Sequence, residues 1–267
     1  MNAFANHFSF EFRTGIRNVS LLLLTYLIPL GLYVMMGFVL IDIDTAFGEM
    51  FIPLMTITAI LLSTLLGLPD LLVTARKAGI FRNYKINGVP TLSLLIIPAL
   101  TTIFHLMIVT IIFIVAAPPL FSASMPLDWL GFVVTFIVTA FALAGLGVLI
   151  GVISSSSRIT VLWAQAIFIP TMVVMFIPAD VLPDPVTRVA QLLPPTHATN
   201  AFRGLAMGLT TNFDALGSLV ILATGGVLAF GLAIYLFSWD SHNETRRGHP
   251  ALALLALLPY VIGVILY

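Results

Sequence analysis

A chain of 267 residues that is 60% hydrophobic and 8% charged is not a water-soluble domain, in which about a quarter of the residues carry charge. Its formal net charge is zero. That excludes a general attraction to nucleic acid and leaves the information in where the charges sit. It contains no cysteine, so disulfides, thiolate metal sites and thiol nucleophiles are excluded.

Residues 1–18 predict an amphipathic helix lying in the membrane interface. Phe4, Phe8, Phe12 and Ile16 recur every four residues, with Asn6, Ser9, Arg13 and Arg17 opposite and Phe10 out of the pattern. Glu11 and a late, long apolar run argue against a cleavable signal peptide. A helix crossing the hydrocarbon core needs roughly 20 apolar residues. Such runs follow at 19–41, 50–75, 92–117, 129–153, 159–179 and 215–238. Backbone groups in lipid must be satisfied within the segment, which selects helices. The alternating ten-residue segments of a membrane barrel do not occur. A seventh apolar run, 251–266, is short and contains Pro259, and whether it crosses is left open.

The connections between these runs differ in charge. Residues 1–18, 76–91, 154–158 and 239–250 hold Arg13, Arg17, Arg76, Lys77, Arg82, Lys85, Arg158, Arg246 and Arg247. The alternate connections, 42–49, 118–128 and 180–214, hold only Arg188 and Arg203 among basic residues. They carry Asp42, Asp44, Glu49, Asp128, Asp180, Asp184 and Asp214 instead. The positive-inside rule predicts a cytoplasmic first set and a cytoplasmic N-terminus, in a multi-pass protein of the plasma membrane.

The densest basic cluster lies between the second and third runs. Residues 76–90 read as a short helix along the membrane surface, stopped by Asn87-Gly88 and Pro90. Ile80, Phe81 and Tyr84 fall on one arc, with Arg82 and Lys85 away from it. One reading is an anchor on anionic lipid. The other is a docking helix for a cytoplasmic protein, using Arg76, Lys77, Ile80, Phe81, Arg82, Tyr84 and Lys85.

Few polar residues sit inside the runs. Asp70, after Pro69, either pairs with Arg76 or Arg13 at headgroup level or forms a salt bridge that transmits motion to the second span. His105 is either a proton relay or a neutral, hydrogen-bonded histidine. Gly145, Gly147 and Gly151 predict close helix approach. "SSSSR" at 154–158 reads as a polar turn, because serine catalysis needs a base within hydrogen-bond reach. No metal motif and no G-x-x-x-x-G-K-[ST] phosphate loop occurs. No catalytic residue, metal ligand or cofactor is therefore assigned to this chain. Met35, Phe38, Met55, Met172 and Phe176 are candidates to line a passage for an apolar or amphipathic cargo.

The order of these features is similar to that of one family. "ARKAGIFRNYKINGVP" follows the second run, and small-residue-rich "FALAGLGVLIGVISSSS" closes the fourth. "LLPPTHATNAFRGLAMG" precedes the sixth. The chain resembles the permease subunit of the type-2 ABC exporter family over residues 1–240. Gly79 and Pro90 match the basic segment, which lacks the family's acidic residue. Leu193, Pro194, His197, Arg203 and Gly208 match the later motif.

The resemblance implies an all-α polytopic fold of six core spans with an N-terminal interfacial helix (1–18), a coupling helix (76–90) and outer re-entrant helices (180–210). Residues 241–267 depart from it as a linker and extra hydrophobic segment. The resemblance also implies a homodimer or a heterodimer with a similar permease, and a separate cytoplasmic ATP-binding subunit that carries the ATP and Mg. Cargo in the family ranges over drugs, peptides, lipids and glycan precursors, moved outward. An ion-coupled secondary transporter is the principal alternative, although no internal repeat and little buried charge support it. An intramembrane enzyme is a further one.

Overall fold

The computed structural model describes residues 3–40, 45–177, 183–239 and 248–266. Asp42, Asp44, Asp180, Arg246 and Arg247, and the side chains of Phe4 and Asp184, lie outside the described residues. Among the described residues, six helices are long and apolar enough to cross a membrane: Val19–Leu40, Phe47–Lys77, Thr91–Phe121, Trp129–Ile153, Ser157–Phe176 and Ala215–Leu236. Among the described residues there is no strand. The protein is an all-helical, multi-pass membrane protein. The interfacial helix spans Ala3–Gly15, and a short loop helix, Ile80–Ile86, joins the second and third spans. The end of the bundle that carries this loop helix is called the basic side below.

Several boundaries have local causes. Asn18, Asp128, Ser156 and Asp214 each accept hydrogen bonds from the first backbone N–H groups of a span. Asp128 Oδ1, for example, takes Leu130 N–H at 2.9 Å and Gly131 N–H at 3.1 Å. Asp128 and Asp214, two of the acidic residues that mark the side opposite the basic loop, thus satisfy otherwise orphaned donors at the positive ends of helix dipoles. The third span runs past the predicted residue 117 through Pro118 and Pro119 to Phe121, and ends at Ser122 in the left-handed region, φ 53°.

Two spans contain wide, π-type turns, Leu23–Leu27 and Leu62–Gly67. Each lies just before a proline, Pro29 and Pro69. Proline has no N–H to donate and its ring crowds the carbonyl four residues back. A widened turn absorbs both defects without breaking the span.

The fourth span is the centre of the bundle. Three of its glycines face two neighbouring spans. A side chain at Gly147 would collide with the Thr64 carbonyl of the second span, and one at Gly151 would lie 3.0 Å from Pro69 Cα. A side chain at Gly145 would lie 3.0 Å from Phe230 of the sixth span. Close packing through small residues is the main source of helix attraction in lipid, where burial of apolar surface offers little. The first and fifth spans stay at the edge of this unit.

Candidate functional site

On the basic side the chain leaves the second span at Lys77 and turns at Gly79, φ 71°. It then forms the loop helix and turns again at Gly88, φ 72°. Both positive φ angles suit glycine, which has no Cβ to clash. Arg76 lies at the base of this loop and is buried. Its guanidinium donates to the carbonyl of Val152 at 2.8 Å and to that of Ser154. Those carbonyls end the fourth span, so Arg76 places a positive charge on the negative end of a helix dipole. Arg76 is therefore an internal clamp between the second and fourth spans, not part of an exposed docking face.

Phe81 also needs correction as an exposed anchor. It is buried, with its ring 5.5 Å from that of Phe237 just beyond the sixth span. Lys85 Nζ lies 5.9 Å above the Trp239 ring. These two contacts hold the loop helix to the base of the sixth span. What the helix shows outward is Ile80, Arg82, Asn83, Lys85 and Ile86, with Lys77 exposed just before it and Ile86 77% exposed. Tyr84 is half-buried. Burial raises its phenol pKa, and the negative charge of nearby Glu11 raises it further. Glu11 of the N-terminal helix is therefore close enough to the loop helix for its charge to be felt at Tyr84. Phe237 and Trp239 were missed in the sequence. Their one signal was a pair of aromatics directly after a span, on the side where basic residues gather.

A second cluster joins the interfacial helix to the bundle. His105, buried in the third span, stacks on Phe12 with centroids 4.6 Å apart and planes 6° off parallel. Its Nδ1 is 2.7 Å from the Tyr26 hydroxyl of the first span. Phe8 and Phe12 both meet Phe104 edge-on. Arg13 and Arg17 are exposed on the same stretch. His105 thus has a hydroxyl partner and a ring partner. Tyr26 was not foreseen, because it falls in an apolar run and nothing in the sequence links it to the third span. Asp70 is half-buried in the first turn of Leu68–Lys77, the last straight part of the second span.

At the opposite end, Asp184–Ala190 and Pro194–Ala201 form a short helical pair between the fifth and sixth spans. His197 is buried and its Nε2 lies 2.9 Å from the Gln191 carbonyl. Burial lowers its pKa, an effect partly offset by that hydrogen bond. Pro194 is buried, and Arg203 Nε donates to the Thr210 carbonyl at 2.6 Å. Asn200 Nδ2 donates to the Phe213 carbonyl and to Ser218 Oγ, at 2.8 and 3.0 Å. Pro194, His197 and Arg203, three of the five matched residues, therefore lie on two consecutive helical segments, Pro194–Ala201 and Phe202–Ala206.

The candidate cargo residues are dispersed. Met35 and Phe38 are exposed on the first span, at 50% and 67%. Met172 and Phe176 are half-buried on the fifth span, and Phe176 meets Phe47 at 6.0 Å. Met55 is buried in the core, so within this chain it faces neighbouring helices and no passage. An apolar groove of about 870 Å³ lies elsewhere, between the third and fourth spans, reaching from Phe8 past Met107 to Trp129. Thr110 carries the only hydroxyl among its lining side chains. Among the described residues, no cluster of three or more His, Cys, Asp or Glu could hold a metal ion.

The profile of the ABC-2 family transporter proteins matches residues 42–235, and the chain belongs to that family. No curated protein and no solved structure matches the chain.

Proposed function

We propose that this chain is the membrane half of an ATP-driven exporter, working as a homodimer or beside a similar permease. A separate ATP-binding subunit, holding ATP and Mg, sits against the loop helix on the basic side, which is the cytoplasmic side of the plasma membrane. The observation that carries this reading is the two-faced loop helix. Its inner face is fixed by Phe81 on Phe237, while Arg82, Lys85 and Ile86 point outward. A lipid anchor needs only the outer charges. A lever needs both an outer grip and an inner linkage. Arg76 supplies a second linkage, so a push on the loop reaches the second and fourth spans together.

The cargo is hydrophobic or amphipathic. Charged residues are almost absent from the spans, which leaves no coordination for a small ion. ATP binding closes the paired ATP-binding subunits, the loop helices follow, and the spans rearrange so that cargo leaves on the far side. The chain itself performs no covalent chemistry. The test is affinity purification from membranes of cells that co-produce the encoded ATP-binding subunit. The complex is expected with the native chain and lost in an Arg82→Glu, Ile86→Glu double variant. Retention of the complex in that variant contradicts the reading.

A further inference from the structure

The last apolar stretch consists of Pro250–Leu257, wound as a 3₁₀ helix, followed by the α-helix Leu258–Leu266. It contains no charged residue. As α-helix throughout, 17 residues would reach only about 25 Å. A 3₁₀ helix rises about 2.0 Å per residue instead of 1.5 Å. The mixed winding therefore extends to about 30 Å, the thickness of the hydrocarbon core. Pro259 explains where the winding changes: it cannot donate back along the helix, and the Leu258 N–H, just before it, bonds the Leu255 carbonyl in the tighter register.

Contacts show which way the stretch runs. At its start, a side chain at Gly248 would meet Tyr235 and Leu236, the basic-side end of the sixth span. Further on, the Tyr260 ring fills the space left by Gly225 in the middle of that span. Near the end, a side chain at Gly263 would meet Ile221, close to the opposite end, and His197 of the outer helical pair at 3.2 Å. The His197 and Tyr260 ring centroids are 5.8 Å apart. The family profile stops at residue 235, before this stretch begins.

We propose that residues 250–266 are a seventh membrane crossing, antiparallel to the sixth span, and that Tyr260 and Gly263 act as positioning residues that buttress His197 and the outer helical pair. Residue 266 then lies on the side opposite the loop helix. This rests on the multi-pass fold and not on the ATP-driven reading.

The absence of native cysteine makes the topology directly testable. One variant carries Asn87→Cys, at the exposed end of the loop helix; another carries a Gly-Ser-Cys extension after residue 267. In intact cells, a membrane-impermeant maleimide is expected to modify one site and not the other. The second site reacts after permeabilisation. Modification of both from the same side overturns the crossing.

The buttress is read from a Thr199→Cys reporter in the outer pair. Gly263→Leu, which drives bulk against His197, and Tyr260→Leu, which withdraws the ring, are each expected to speed its labelling about 5- to 30-fold, as loss of one or two kcal/mol of local stability would. Gly231→Leu on the sixth span, where a side chain meets nothing within 4 Å, leaves the rate unchanged. An unaltered rate in Gly263→Leu and Tyr260→Leu overturns the buttress, even where the crossing holds.

Discussion

The second and fifth spans are both long apolar helices, yet they live in different surroundings. In the most apolar window of the second span 89% of residues are buried inside the chain; in the fifth it is 17%. The difference lies in what each presents to the fourth span. The second offers the Thr64 carbonyl and the Pro69 backbone to the glycines at 147 and 151, so two backbones meet. The fifth shows Val161, Leu162, Trp163 and Val173 outward. Apolar character therefore says that a helix is in the membrane; small residues say whether it is in the middle of the protein. The first and fifth spans leave most of their surface uncovered by the rest of the chain.

The sharpest way to break this comparison is Gly147→Leu. It forces a side chain into the Thr64 carbonyl and is expected to cost about 3 kcal/mol, read as loss of the monodisperse peak after heating in detergent. Val173→Leu on the fifth span should stay within about 0.5 kcal/mol by the same assay. Equal effects of the two would remove the distinction between core and edge spans. Arg76→Met comes next. It strips the Val152 and Ser154 carbonyls of their donor in a buried place and is expected to cost about 2 kcal/mol. Lys77→Met, next in sequence and exposed, should leave melting unchanged.

A smaller effect, about 1 kcal/mol, is expected from Tyr26→Phe, which removes the hydroxyl from His105 Nδ1. Limited proteolysis should then cut the interfacial helix faster. The smallest effect comes from pH. Burial keeps the His197 pKa below its ordinary value near 6.5. An unfolded chain therefore takes up a proton that the folded one refuses, so stability is flat above about pH 6.5 and declines as pH falls below it. His197→Gln should flatten that decline in a melting series.

The six spans and the loop helix were legible in the sequence because each rests on local physics, an apolar run in lipid or a Gly or Pro stop, whereas the outer pair was expected from the family resemblance alone. Orientation within those elements was less legible. Helical periodicity places Ile80, Phe81 and Tyr84 on one arc, but does not say whether that arc faces outward or toward Phe237. Arg76 looked like surface charge because nothing in the sequence marks the end of the fourth span as its partner. Whether the terminal stretch crosses stayed open in the sequence, because the run is short and the tighter winding before Pro259 leaves no mark there.

The central claim is that the loop helix grips an ATP-binding subunit with one face and the bundle with the other. Photo-cross-linking tests it most directly. A benzophenone side chain placed at Ile86 or at Phe81 is irradiated in membranes that also contain the ATP-binding subunit. The account predicts an adduct with that subunit from position 86, and from position 81 only products within the chain. An adduct with lipid alone from position 86, or equal capture of the subunit from both positions, would contradict it.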